Sequence, residues 1–119
     1  MRDSILQLRT TRDHSRVVVR CAGELDFSVA GELRAELEAV CAPGLALLLV
    51  DMSELTFIDS SGLQCLLEAH VWCESHGARL EVARSRAVQR VLDIAGAMFA
   101  APAPDEGDAD PDPRAAPTE

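Results

Sequence analysis

The stretch Leu47–Leu48–Leu49–Val50–Asp51–Met52–Ser53–Glu54–Leu55–Thr56–Phe57–Ile58–Asp59–Ser60–Ser61–Gly62–Leu63 decides the fold. It begins within a continuous apolar run, Leu45 to Val50, which reads as a strand covered on both faces. Asp51 to Asp59 reads as a loop with apolar pegs at Met52, Leu55, Phe57 and Ile58. Asp-Ser-Ser-Gly then opens a helix over about 60–75, with Leu63, Leu66, Leu67 and Val71 on its apolar side and His76–Gly77 as its stop. Strand, loop and helix in that order are half of a parallel α/β unit.

Upstream, Ile5 to Arg9 alternates weakly, and the β-branched run Arg16–Val17–Val18–Val19–Arg20–Cys21–Ala22 is a clearer strand. The polar turn Thr10–Ser15 makes the two a hairpin, and Gly23–Glu24–Leu25–Asp26 breaks the second strand. A helix follows over about 28–41. Val29, Leu33, Leu37, Val40 and Cys41 recur at helical spacing, Glu32, Arg34, Glu36 and Glu38 take the wet faces, and Asp26 or Ser28 caps the start. Downstream, Arg79 to Ala83 is a short strand. A third helix spans about 85–95 with Ala87, Val88, Val91, Leu92 and Ile94 as its apolar set, ending at Gly96, with Met98–Phe99 as a last apolar anchor. The order is ββαβαβα, an α/β fold in which a small mixed sheet, mainly parallel, is covered by helices.

Composition bounds the function. The chain has 119 residues, 20 acids against 11 bases, a formal net charge of −9, and no lysine. Such a balance offers no cationic footprint for nucleic acid or an anionic membrane. The longest apolar run is far shorter than the roughly 20 residues of a membrane span, and Met1–Ser4 leads straight into a strand with no signal peptide, so a soluble, cytoplasmic protein is expected. Cys21, Cys41, Cys65 and Cys73 each sit inside an apolar pattern and are expected as small buried hydrophobes. The pattern changes at Phe99: residues 100–119 contain no Leu, Ile, Val or aromatic, and carry six acids against one arginine. Residues 1–99 are therefore expected as the domain and 100–119 as a disordered, acidic, proline-rich tail dispensable for folding.

The C-terminal edge of a parallel sheet is where α/β proteins usually place function. There Asp59 is positioned to cap the helix by accepting the Ser61 or Gly62 N–H, leaving the Ser60 hydroxyl free and exposed. Gly62, lacking a side chain, lets a partner's backbone approach. The tetrapeptide alone is also ordinary capping chemistry. A serine hydrolase does not fit: Gly-x-Ser-x-Gly is absent, and His70 lies about 15 Å along the same helix from Ser60. His14 and His76 have no route to it. His70, Cys73 and His76 fan around the helix with no fourth ligand, so no metal is expected. No glycine-rich loop cradles a nucleotide, so no cofactor is expected. Trp72 is expected against the third helix, with an interface anchor as the other reading.

In context the segment is more specific. Asp51-x-Ser53-x-Leu55-x-Phe57-Ile58-Asp59-Ser60-Ser61-Gly62-Leu63 closely resembles the signature of the anti-sigma factor antagonist family, the stand-alone STAS domains. Gly23–Glu24–Leu25–Asp26 is similar to that family's earlier turn, and Ala87–Gly96 to its closing helix. The resemblance covers about residues 5–99 and implies a single STAS-type α/β domain. It implies binding to an anti-sigma factor that is itself a serine kinase, with Ser60 as the phosphorylation site. In its unphosphorylated form the antagonist captures the anti-sigma factor and frees the sigma factor. A metal-dependent serine/threonine phosphatase reverses the modification. Asp26, Asp59, Ser60, Ser61, Gly62 and Leu63 are the partner-binding residues so implied, and the chain is a kinase substrate, not an enzyme. The rival within the same fold is a scaffold STAS subunit of a transport or stress-signalling complex that is not switched by phosphate.

Overall fold

The computed structural model describes residues 5–95. Strand β1 (Leu6–Asp13) turns through His14, which takes the left-handed φ of 60°, into strand β2 (Arg16–Leu25). The two pair antiparallel from Leu6 opposite Gly23 to Asp13 opposite Arg16. Helix α1 (Ala30–Val40), strand β3 (Leu47–Ile58), helix α2 (Ser60–His76), strand β4 (Arg79–Arg84) and helix α3 (Arg86–Ala95) follow. The sheet order is β1-β2-β3-β4, with β2–β3 and β3–β4 parallel. The expected ββαβαβα order and small mixed sheet are therefore present.

Two successive crossovers in one direction put α1 and α2 on the same sheet face, since such connections are right-handed. That face carries Val17, Val19 and Cys21 of β2 and Leu48, Val50 and Met52 of β3, all buried against Leu33 and Leu37 of α1 and Leu63, Leu66 and Ala69 of α2. Thr10 of β1 donates its hydroxyl to Glu36 of α1 at 2.5 Å, which ties the hairpin to the helix layer. Helix α3 packs chiefly against β3, with Val88 fully buried.

Several expectations need correction. β3 does not end at Val50: it runs 12 residues to Ile58, through the segment read as a loop. Between Arg20 and Leu25 of β2 it spans Asp51 to Ile58, with register shifts at Arg20/Ala22 and Gly23/Glu24. Extra residues on β3 at these bulges break the alternation that marks a strand. Phe57, read as an apolar peg, is 47% exposed. β2 likewise continues through Gly23 to Leu25. The face of β3 away from α1 and α2 is only half covered, since Leu47 and Leu49 are half-buried.

On α2 the buried set is Gly62, Leu63, Cys65, Leu66, Ala69 and Cys73, while Leu67 is half-buried and Val71 is exposed. The helix packs on the sheet and also sideways on α1, so its contact stripe is centred one position away from the one expected. Ile94 of α3 is exposed as well. Trp72 does not face α3. It stacks on His76 with ring centroids 3.9 Å apart, and with Arg34, Leu37, Glu38 and Cys41 it lines a groove between α1 and α2.

Three cysteines are buried and Cys41, closing α1, is half-buried; all four are free. Burial pushes the Cys21 thiol up to about 12, with Asp51 adding to it, and the Cys73 thiol up to about 11. Among the described residues no helix is long and apolar enough to cross a membrane. Gly96, Met98–Phe99 and the segment 100–119 lie outside the described residues.

Candidate functional site

Leu25 and Ile58 are the last paired residues of β2 and β3, so the chain leaves both strands side by side at Asp26 and Asp59. The Asp59 N–H donates to the Leu25 carbonyl at 3.2 Å, extending the ladder by one bond. The Asp59 carboxylate then does two things. Oδ1 accepts the Ser61 N–H at 2.9 Å and caps α2, as the sequence predicted; Oδ2 accepts the Phe27 N–H at 3.1 Å from the loop before α1. One side chain thus fixes the start of α2 and the β2–α1 connection together.

Asp26 organises the other half. Its Oδ1 accepts the Ser28 N–H at 2.9 Å and the Ser28 hydroxyl at 2.6 Å, while its carbonyl accepts the N–H groups of Val29 and Ala30. The Ser28 hydroxyl bond, helped by backbone N–H groups, holds the Asp26 carboxyl below the usual carboxylate range. The same turn occurs at Asp51, whose Oδ1 accepts the Ser53 N–H at 3.0 Å and its hydroxyl at 2.6 Å. That bond sits at the first bulge of β3, which gives the Asp51-x-Ser53 pattern a structural reason.

Ser60 occupies the first position of α2, with its side chain exposed and no hydrogen bond to its hydroxyl among the described residues. Ser61 is half-buried. Gly62 and Leu63 are buried, which corrects the expectation that Gly62 presents bare backbone to a partner. A Cβ on Gly62 would lie 2.7 Å from Ile58 Cγ1 and 2.7 Å from Leu25 Cδ2. The close approach that requires glycine is therefore internal, between α2 and the two strand ends.

The sequence reading missed the aromatic flank. Phe27 is 70% exposed and Phe57 47% exposed, on the two chain segments that bracket Asp26 and Asp59. The signal was present: two of the chain's three phenylalanines adjoin the two site aspartates in sequence, Phe27 directly and Phe57 within two residues. Exposed aromatic surface beside a free hydroxyl has the make-up of a contact surface, in which large apolar side chains anchor a partner.

Fold and site together define a small α/β module that presents an exposed, unengaged serine at a helix start, supported by Asp59, which caps α2, and by Asp26, which closes a turn with Ser28 ahead of α1, whose N-cap Val29 makes no side-chain cap bond. The sequence matches the family model of the STAS domain over residues 6–102. The chain belongs to the STAS domain family. Among solved structures it is similar to an anti-sigma factor antagonist from Mycobacterium paratuberculosis, with TM-score 0.68, 26% identity, and coverage of 76% of this chain and 78% of the other. It is similar to the anti-sigma factor antagonist SpoIIAA in its unphosphorylated form, with TM-score 0.65, 27% identity, and coverage of 76% and 80%. The Bacillus cell fate determinant SpoIIAA in its phosphorylated form matches with TM-score 0.62 and 25% identity, over 76% of this chain and 83% of the other.

Proposed function

We propose that this chain is an anti-sigma factor antagonist, acting in the cytoplasm, that captures an anti-sigma factor serine kinase while Ser60 is unphosphorylated and so frees a sigma factor. The kinase phosphorylates Ser60 and ends the capture; a metal-dependent serine/threonine phosphatase restores it. The chain is a substrate in this cycle and performs no catalysis. The observation that carries the reading is the Ser60 hydroxyl, exposed and unengaged at the first position of α2 beside Asp59, which caps the helix. Similarity to SpoIIAA, solved in unphosphorylated and phosphorylated forms, supports it.

The contact surface combines Asp26, Asp59, Ser60 and Ser61 with the exposed rings of Phe27 and Phe57, while Gly62 and Leu63 hold it from beneath. The folded unit is residues 1–99, and the acidic segment 100–119 lies outside it. A phosphate on Ser60 adds about −1.5 to −2 charges. The free N–H groups and dipole of the α2 start favour that anion by about 0.3–1 kcal/mol, so the fold survives. The partner meets a dianion next to Asp59 where it is shaped for a neutral hydroxyl. Desolvation and like-charge repulsion of about 3–5 kcal/mol weaken capture by roughly two to four orders of magnitude.

The test is intact-mass analysis with phosphosite mapping on protein from its native host, followed by pull-down of the kinase with Ser60→Ala and Ser60→Asp. One phosphate on Ser60, constitutive capture by the alanine variant and weak capture by the aspartate variant are expected. A protein unmodified under growth and stress, with both variants binding like wild type, sinks the switch and favours a scaffold subunit.

A further inference from the structure

The sheet has a second face that neither α1 nor α2 covers. Its rows, read across the register, are Arg9–Arg20–Asp51–Ala83, Thr11–Val18–Leu49–Glu81 and Asp13–Arg16–Leu47–Arg79. Val18, Leu47 and Leu49 in its centre are half-buried, while around them stand the exposed Arg9, Arg16, Arg20 and Arg79 and the acids Asp13, Asp51 and Glu81, four bases against three acids. Parallel strands are ordinarily covered on both sides, so an apolar centre left half open on two parallel ladders is an unfinished layer.

Its charge says what completes it. Arg9 and Arg20 stand directly opposite each other on antiparallel strands, an arrangement in which like charges repel. Arg20 reaches Asp51 only at 3.7 Å and Arg79 pairs with Glu81, whereas Arg9 and Arg16 make no ion pair among the described residues. The helix layer on the opposite side has the reverse character: α1 and α2 carry five glutamates and one arginine. An anionic segment is repelled by that layer, and by Glu24, Asp26 and Asp59 at the site, and is drawn to the open face.

The chain carries such a segment. Between Ala100 and Glu119 lie six acids and one arginine, five of the acids within residues 105–112, preceded by the apolar pair Met98–Phe99. Asp105 lies ten residues beyond Ala95, the end of α3, a reach of about 33 Å when extended. Four strands at about 4.8 Å spacing are crossed in roughly 15 Å.

We propose that the acidic C-terminal segment of this chain docks on its own open sheet face, with Met98–Phe99 over the Val18–Leu47–Leu49 centre and residues 105–112 along Arg9, Arg16 and Arg20. The docking is held by charge, and it keeps the segment's negative charge away from the Ser60 end.

The experiment compares amide spectra of the full chain with those of a full-length variant carrying Asp105→Asn, Glu106→Gln, Asp108→Asn, Asp110→Asn and Asp112→Asn. The amides of Arg9, Arg16, Val18, Arg20 and Leu49 are expected to shift while those of α1 and α2 stay. Raising salt from about 50 to about 500 mM should reproduce the same shifts in the unmodified chain, because exposed charge pairs are screened. Arg9→Glu with Arg16→Glu should abolish that salt response. Shifts confined to residues next to the substitutions overturn the proposal. Shifts on this face that depend on protein concentration overturn it too, and make a second copy the occupant.

Discussion

Gly62→Ala and Gly31→Ala make the same chemical change in the first turn of two helices, and the structure gives them opposite signs. In each, replacing glycine removes unfolded-state freedom and favours the helix by about 0.5 kcal/mol, the low end because a first turn is only partly constrained. At Gly31 a Cβ meets nothing within 4 Å, so that gain stands alone. At Gly62 it would lie 2.7 Å from Leu25 Cδ2 and 2.7 and 2.9 Å from two Ile58 side-chain carbons. Leu25 and Ile58 are 0% and 3% exposed, so neither swings into solvent to make room. Overpacking of this kind costs about 1–3 kcal/mol, leaving Gly62→Ala less stable by about 0.5–2.5 kcal/mol. Urea unfolding followed by far-ultraviolet circular dichroism should place the variants on either side of wild type, about 1–3 kcal/mol apart. Gly62→Ala as stable as Gly31→Ala would refute the internal close approach and return Gly62 to a surface role. Because Leu25 and Ile58 directly precede Asp26 and Asp59, Gly62→Ala should also weaken capture of the partner.

Asp59→Ala removes the acceptor of both the Ser61 and Phe27 N–H bonds and should lower stability by about 1–2 kcal/mol; Asp59→Asn, which keeps one acceptor oxygen but sets its NH2 against the other N–H, should recover only part of that loss in the same urea titration. Stability should also fall at both ends of the pH scale. Asp26, through Ser28, and Glu68, through Arg34, are held below the usual carboxylate range, so the stability they add is present above about pH 4 and lost as pH falls through their folded values. Cys21 and Cys73 are raised to about 12 and about 11, so their contribution is whole below about pH 8.5 and lost progressively as pH rises toward those values. Urea midpoints from pH 3 to pH 11 should show a plateau between two declining limbs, and Cys21→Ala should flatten the alkaline one; an alkaline limb that Cys21→Ala leaves unchanged would refute the assignment to Cys21.

The element order was legible because local pattern and tertiary role agree over most of the chain. The β-branched run at Val17–Val19 is a strand, Gly77 does close α2 with a left-handed φ of 73°, and Asp59 does cap it. β3 was legible only to Val50. Its remaining residues obey neither the period of a strand nor that of a helix, since each bulge changes which side chain faces inward. Leu55 and Ile58 are buried three residues apart. Pairing with β2, a contact far away in sequence, makes that segment a strand. The stripe on α2 was displaced for a similar reason: small residues such as Gly62, Ala69 and Cys73 take its tightest contacts, because close packing selects size over hydropathy.

The site shows the same division. Sequence identified Asp59 as the cap of α2, because capping is local chemistry. It did not show that Asp59 reaches across to the Phe27 N–H, a bond between residues 32 apart. That bond changes the meaning of the motif. With both carboxylate oxygens of Asp59 engaged by backbone, and Asp26 engaged by Ser28, the aspartates at this end serve the backbone first. Ser60 is the exposed serine left over at the helix start, held there by groups that do not themselves bind its hydroxyl. A surface built this way presents an unchanged hydroxyl to every partner that meets it. In the proposed cycle, a phosphate on Ser60 would alter what the partner meets without removing any bond that supports the fold. A switch that acts on recognition alone therefore requires the serine to be structurally idle, and in this fold the idleness of Ser60 follows from the double duty of Asp59.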